Sequence, residues 1–326
     1  MYDNERHVAT ELVTEACGLA RSVQSEVVAA ADAFTKVDRS PVTVADLAIQ
    51  AVVSRRLSDR FPGVPLLAEE DVTPVDQDDD LAGKVLQVAR VAAPELDADG
   101  LRTALGRGDH EGTGRYWVLD PVDGTKGFLR GDQFAVALAL VDGGRVVVGA
   151  LGCPNLDTTY PLTGGTMGTV YSAERGRGAT MISLDTGEDT ELAVDRVTEA
   201  SGARFCESVE SAHAAHSVQG RIAASLGITE PPVRIDSQCK YAVVARGDAS
   251  IYLRLPRDRE YREKVWDHAA GALVIEEAGG RVSDLDGRPL DFSAGRYLAR
   301  SRGIVATNGL LHDRVLEACR AALADE

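Results

Sequence analysis

The sequence predicts a mixed protein, α+β in its first half and α/β in its second, with the change near Val197. Three observations carry this. Apolar residues recur at helical spacing through the first sixty positions. From Tyr116 the pattern turns into apolar runs joined by glycine turns, as in a sheet of hairpins. Beyond Val197, short β-type runs alternate with helical ones. On this division residues 1–197 form one domain and residues 198–326 a second.

Asp3 or Asn4 can cap the first helix, along which Val8, Leu12, Leu19, Val23 and Val27 share a face. A second helix is expected from near Thr43 through "VADLAIQAVVSRRLSDRF", stopping before Pro62, with Thr43 and Asp46 as its cap and companion acid. Residues 72–113 differ in character. They combine an acidic run, "DQDDD", a helical pattern, "LAGKVLQVARVA", and a stretch rich in Asp, Gly and Arg. A surface excursion is expected there, with the composition of a lid.

"YWVL" reads as a buried strand that ends at Pro121, because proline cannot donate to a sheet ladder. "FAVALALVDGGRVVVGALGCP" is two strands joined by the turn "DGGR", "GTVYSAERGRGATMISL" is another hairpin, and "TELAV" is a further strand. The second half then alternates. Strand "ARFCES" leads to a helix from Ser211, strand "PPVRID" to helix "KYAVVARG", and strand "ASIYLRLP" to helix "WDHAAGALVIEEAGG". Strand "GIVATNG" follows.

Composition narrows the function. The chain of 326 residues carries 51 acidic and 35 basic side chains, a formal net charge of −16. That sign disfavours nonspecific binding to nucleic acid or an anionic membrane. The five cysteines are dispersed and form no C-x-x-C pair, which points to reduced thiols in the cytoplasm. The N-terminus lacks an apolar signal core, and no apolar run reaches the ~20 residues that span a bilayer. Nothing in the sequence demands an obligatory protein partner.

Four acidic stations stand out: Asp46, the pair Glu69 and Glu70, the pair Asp120 and Asp123, and Asp267. Taken singly, each reads as a helix cap or a loop charge, Asp267 as an N-cap in particular. "DPVDGT" resists that reading. It sets two carboxylates and the Thr125 hydroxyl on one tight turn, and crowded carboxylates cost free energy unless cations neutralise them. Hard oxygen ligands in a cluster are what Mg²⁺ prefers, commonly together with phosphate oxygens. One competitor is removed by spacing. A covalent aspartyl-phosphate mechanism needs an acid two residues before the second Asp of D-x-D-G-T, and here that position is Pro121.

"AEED", "DPVDGT" and "WDHAAG", in that order, resemble the lithium-sensitive, magnesium-dependent inositol monophosphatase-like superfamily. Within it, "KVDRSPVTVAD", "WVLDPVDGTKGFLRGDQFAVALAL", "DSQCKY" and "YLRLP" look like the 3′(2′),5′-bisphosphate nucleotidases. The resemblance implies a layered αβαβα sandwich, of the type shared with fructose-1,6-bisphosphatase, holding two or three Mg²⁺. Glu69, Asp120, the Val122 carbonyl, Asp123 and Asp267 would be the metal ligands, with Glu70 in support. Asp46 and Thr125 would activate water. Gly124, Thr125, Ser237, Lys240, Arg254 and His216 (or else His213) would contact the substrate. The activity implied is removal of the 3′-phosphate from adenosine 3′,5′-bisphosphate, and from 3′-phosphoadenylyl sulfate, in sulfur metabolism. Two alternatives stand beside it. One is an inositol mono- or polyphosphate phosphatase using the same metals, the other a nucleotide-binding sensor without catalysis.

Overall fold

The computed structural model describes residues 1–31, 40–159, 167–209, 218–256 and 260–324. Helix α1 (Asp3–Ala31) buries Val8, Leu12, Leu19 and Val23 along one face, as their spacing requires. Helix α2 (Ser40–Arg60) starts ahead of Thr43, so Thr43 and Asp46 lie inside the helix and are not its cap. Strand β1 (Leu66–Ala68) is followed by α3 (Thr73–Gln77), α4 (Asp79–Ala92) and α5 (Ala98–Gly106).

These three helices correct the expectation of a surface excursion. Val75, Val85, Ala89, Leu101 and Leu105 are fully buried in the same core as α1 and α2, while the acids of the segment face outward. The acids also serve the backbone. The Asp78 carboxylate accepts from the N–H groups of Asp80 and Leu81, and Asp97 accepts from that of Gly100. A segment packed in this way belongs to the layers of the fold rather than to an excursion from its surface.

Strands β2 (Arg115–Asp123), β3 (Ala135–Asp142), β4 (Arg145–Asp157), β5 (Met167–Glu174), β6 (Ala179–Ser183) and β7 (Asp189–Glu191) join β1 in a seven-stranded sheet in chain order, with the short helix α6 (Thr125–Arg130) between β2 and β3. Only β1 and β2 are parallel; the others pair antiparallel. Gly143 and Gly144 both have positive φ, 57° and 77°, which the tight β3–β4 turn requires.

Strand β2 does not stop at Pro121. Its pairing with β1 ends at Leu119, and its register with β3 slips by one residue between Asp120 and Asp123. Proline therefore sits where one edge is already open and the other is bulged, so no ladder bond is demanded of it.

The second half holds β8 (Phe205–Glu207), α7 (Val218–Leu226), β9 (Val233–Arg234), α8 (Cys239–Ala245), β10 (Ile251–Arg254), α9 (Ala269–Glu277), β11 (Arg281–Ser283), β12 (Ile304–Thr307) and α10 (His312–Ala324). Its strands form a mixed five-stranded sheet in the order β11-β12-β10-β8-β9. Two elements go beyond the sequence expectation: β11, only three residues long, and α10, whose Val315, Leu316, Cys319 and Ala322 fall at helical spacing. The expected start of a helix at Ser211 lies outside the described residues.

Alternation along the strands builds the layers. Trp117, Leu119, Val136, Leu138 and Leu140 face α1 and α2 in one core. Tyr116, Val118, Ala135, Ala137 and Ala139 face the opposite way, into a second core shared with α8, α9 and the inner side of the five-stranded sheet. Small residues there let α9 approach closely: a Cβ on Gly149 would lie 3.0 Å from the Ala270 carbonyl oxygen. A third core sits beneath α7 and α10 on the outer side of that sheet. The result is the expected αβαβα sandwich. All five cysteines are free and buried, and among the described residues no helix is long and apolar enough to cross a membrane.

Candidate active site

The site forms where parallel strands β1 and β2 end together, the usual ligand edge of a parallel pair. Glu69 and Glu70 leave β1, while Asp120 and Asp123 close β2. Alternation puts Asp120 on the same face as Tyr116 and Val118, so it points into the layer between the sheets and is 1% exposed. Asp46 comes from α2, one turn before the buried Gln50 on the same face. The Gln50 amide grips the Glu70 backbone from both sides, donating to its carbonyl at 2.6 Å and accepting from its N–H at 3.1 Å. That clamp sets Glu69 and Glu70 beside Asp46.

From the second half come the loop before α8, with Ser237 and Gln238, and Asp267, just ahead of α9. Asp267 is not a cap, since His268 occupies that position. Gly124 turns the chain from β2 into α6 with φ 92°, and a Cβ there would meet Ser237 Cβ at 2.8 Å. Ser237 itself has φ 62°, the one non-glycine positive φ among the described residues. Such strain concentrates at functional sites.

The electrostatics are those of crowded carboxylates. Burial pushes the Asp120 carboxyl well above its ordinary range, reinforced by Glu69, Asp123, Asp267 and Asp46. Burial likewise raises Asp46, with Glu70, Glu69 and Asp123 adding to it. Glu69 is pushed up to about 7 by burial, Asp267 and Glu70, partly offset by a hydrogen bond with Asp120. Glu70 is raised by burial and by Asp71. Every charged side chain bearing most strongly on Asp46, Glu69 and Asp120 is thus itself an acid.

Among the described residues, Glu263, Asp267 and His268 bring ligand-type atoms within 4.8 Å of one another. Protein groups already answer much of their charge. Arg254 pairs with Glu263 at 2.7 Å and with Asp267 at 3.3 Å, and His268 links Glu263 at 3.2 Å to the Tyr241 hydroxyl at 2.7 Å. The unanswered acids lie deeper. Asp120 Oδ1 is buried with no hydrogen-bond partner, and the charged groups acting most strongly on Asp120 are all carboxylates. This donor set, hard and negative around an orphaned carboxylate oxygen, fits Mg²⁺.

Beside the acids opens a cleft of about 580 Å³ lined by Asp123, Gly124, Thr125, Ser237, Lys240 and Arg254, among others. Thr125 is exposed to it, whereas Val122 is buried in the bulge behind. Lys240 Nζ lies 3.4 Å from the Ser208 hydroxyl and 5.7 Å from the centre of the Tyr252 ring. Together with Arg254 it gives one wall of an acidic cleft a positive charge. A smaller recess of about 200 Å³ continues from it past Ser208, Lys240, Tyr252 and Tyr261.

Asp123, Gly124, Thr125, Ser237, Lys240, Arg254 and Asp267 line the cleft, with Asp46, Glu69, Glu70 and Asp120 clustered beside Asp123 and Asp267 and Val122 in the bulge of β2. His213 and His216 lie outside the described residues. The sequence reading passed over Gln238, although it stands inside "DSQCKY", and the buried chain Tyr241–His268–Glu263. For Glu263 the available signal was an acid five residues before His268 in "EKVWDH".

Residues 2–324 match the inositol monophosphatase family, and the chain belongs to it. Solved structures agree on the fold. Inositol monophosphatase from Anabaena (Nostoc) sp. PCC 7120 superposes with a TM-score of 0.64 at 22% identity, covering 98% of this chain and 96% of that one. Mycobacterium tuberculosis SuhB gives 0.62 at 26% identity, with the same coverage. The curated relatives are more specific. The 3′(2′),5′-bisphosphate nucleotidase of Schizosaccharomyces pombe is 39% identical, spanning 100% of this chain and 97% of the relative. That of Oryza sativa is 41% identical over 100% and 96%, and that of Dictyostelium discoideum 38% over 98% and 97%.

Proposed function

We propose that the protein is a magnesium-dependent phosphomonoesterase that converts adenosine 3′,5′-bisphosphate into AMP and phosphate and also accepts 3′-phosphoadenylyl sulfate. The carrying observation is the cluster of Asp46, Glu69, Asp120, Asp123 and Asp267 at the foot of a cleft whose wall presents Lys240 and Arg254. Whole-length similarity to bisphosphate nucleotidases supports the choice of substrate.

On this reading Glu69, Asp120, the Val122 carbonyl, Asp123 and Asp267 would hold two or three Mg²⁺. Bound magnesium would supply neutralisation of phosphoryl charge and acidify an attacking water. The chain's own groups do the rest. Asp46, buried among acids, has the raised proton affinity a base needs, and Thr125 offers a hydroxyl at the mouth of the same turn. Lys240 and Arg254 are suited to the second phosphate, as a point charge and a planar fork respectively. Ser237, Gly124 and the histidine at 216 complete the substrate contacts, and Glu70 supports Glu69. The setting is cytoplasmic, with a small-molecule nucleotide as partner, and inhibition by lithium is expected.

Replacing Asp123 with Asn tests the metal assignment. Turnover is expected to fall at least ~10²-fold with the circular dichroism spectrum unchanged. Near-wild-type turnover at saturating Mg²⁺ would remove Asp123, and with it the ligand set, from the account.

A further inference from the structure

We propose that Gln238 is a positioning residue for this site, reaching from the second half of the chain to hold both carboxylates of the "DPVD" turn in the arrangement a cation requires. The proposal rests on the phosphatase reading above and adds a residue to its machinery.

Three contacts carry it. The Gln238 backbone N–H donates to Asp123 Oδ2 at 2.6 Å, a short bond of the charge-assisted kind. Its side-chain Nε2 donates to Asp120 Oδ2 at 3.4 Å and to the Trp266 carbonyl at 3.1 Å. One residue therefore touches Asp120, Asp123 and the residue directly ahead of Asp267. Those three acids arrive on two different elements, β2 and the approach to α9, and Gln238 ties the elements together.

The chemistry of the side chain is selective. Gln238 is 3% exposed, so each polar atom it brings must justify its desolvation. A methionine or leucine of similar size would strip Asp120 Oδ2 of its donor. A glutamate would add a further acid to Asp46, Glu69, Asp123 and Asp267, all of which already act on Asp120. An amide supplies a donor without charge at the reach this site needs. It occupies one oxygen of Asp120 and leaves the other, Oδ1, as the orphan that faces the cation demand. Its own Oε1 is likewise buried without a partner, an acceptor next to the site.

The backbone is held as firmly as the side chain. The positive φ of Ser237 aims the Gln238 N–H at Asp123, and the missing Cβ of Gly124 makes room for that turn. Cys239 locks it from behind: its N–H donates to Ser237 Oγ at 3.2 Å and its thiol to the Phe134 carbonyl at 3.2 Å. Groups that orient metal ligands in this way typically change metal affinity or activity by ~10–100-fold when removed.

The test uses the full chain and reads metal binding without substrate. Free Mn²⁺ is followed by electron paramagnetic resonance in titrations of wild type, Gln238→Met and Gln238→Asn, each checked for fold by circular dichroism. The methionine keeps the volume and removes the donor; the asparagine keeps the amide and draws it back from Asp120, supplying the same comparison if the first variant does not fold. The expected result is a ~10–100-fold weaker Mn²⁺ affinity, a matching rise in the Mg²⁺ needed for half-maximal phosphate release, and a nucleotide KM within about twofold at saturating Mg²⁺. A folded variant that melts lower yet binds Mn²⁺ like wild type would make Gln238 a packing residue and overturn the proposal. Wild type that binds Mn²⁺ in a Gln238-dependent way but releases no phosphate would instead overturn the phosphatase reading and leave the Gln238 assignment standing. Wild type that binds no Mn²⁺ would overturn both.

Discussion

Replacing Glu69 with Gln should make the metal-free protein more stable at alkaline pH while damaging its activity. The Glu69 carboxyl is pushed from 4.5 up to about 7 because burial, Asp267 and Glu70 all oppose its charge. A raised carboxyl binds its proton more tightly when folded, so the folded state suffers nothing below about 4.5. The cost grows as pH rises and is complete above about 7. The span from 4.5 to about 7 would correspond to ~3 kcal/mol for a group shut off from water, but Glu69 is exposed to solvent, and screening brings the cost to ~1 kcal/mol. A neutral amide escapes that cost. For a chain of this size the gain appears as ~1–2 °C in Tm. The assay is thermal unfolding of both proteins in chelator at pH 4.5 and pH 8, repeated with excess Mg²⁺. The variant should melt with wild type at pH 4.5, above it at pH 8 in chelator, and gain less from Mg²⁺ because a ligand has gone. A variant that melts at or below wild type at pH 8 without metal would refute the idea that uncompensated charge strains this site.

Two further outcomes follow from the same structure. Arg254→Met leaves Glu263 with only His268 for a partner and Asp267 without its guanidinium. Arg254 is one-third exposed, so a loss of ~2 kcal/mol is expected rather than the larger cost of a fully buried pair. Melting in chelator checks this, and a nucleotide KM at least ~10-fold higher checks the substrate role. His312 is held near 4 by burial and by Arg281, partly opposed by Asp313, while its ring nitrogens meet the Thr307 and Ser283 hydroxyls at 2.9 and 2.8 Å. A lowered imidazole stabilises the fold fully above about 6.5 and loses that contribution as pH falls through 4, ~3 kcal/mol in all. His312→Gln should therefore lose less stability than wild type between pH 7 and pH 4, read by parallel melts.

The acidic side of the cleft was legible in the sequence because its acids stand in short, type-specific runs. "DPVDGT" follows a strand that the sequence shows, so turn chemistry places its acids, whereas the three-residue strand before "AEED" was not foreseen. Gln238 was not legible as a partner, since its contacts reach 115 and 118 residues back to Asp123 and Asp120. Nor was the burial of residues 72–113. Averaged along the chain, "DQDDD" dominates, but the helices spend those acids on one side and bury Val75, Val85, Leu101 and Leu105 on the other. Pro121 misled for a related reason: it marks the end of a strand only where both edges are paired, and here β1 has already stopped at its side.

The central claim is that this cleft hydrolyses a nucleotide 3′-phosphate rather than an inositol phosphate. The measurement that tests it most directly is phosphate release with Mg²⁺ from adenosine 3′,5′-bisphosphate, inositol monophosphate and an inositol bisphosphate, compared as kcat/KM. On the proposed role of Lys240 and Arg254 in holding a second phosphate, the nucleotide should be preferred by at least ~10²-fold, and Lys240→Met should erase most of that preference. Turnover of the inositol phosphates with none of the nucleotide would contradict it.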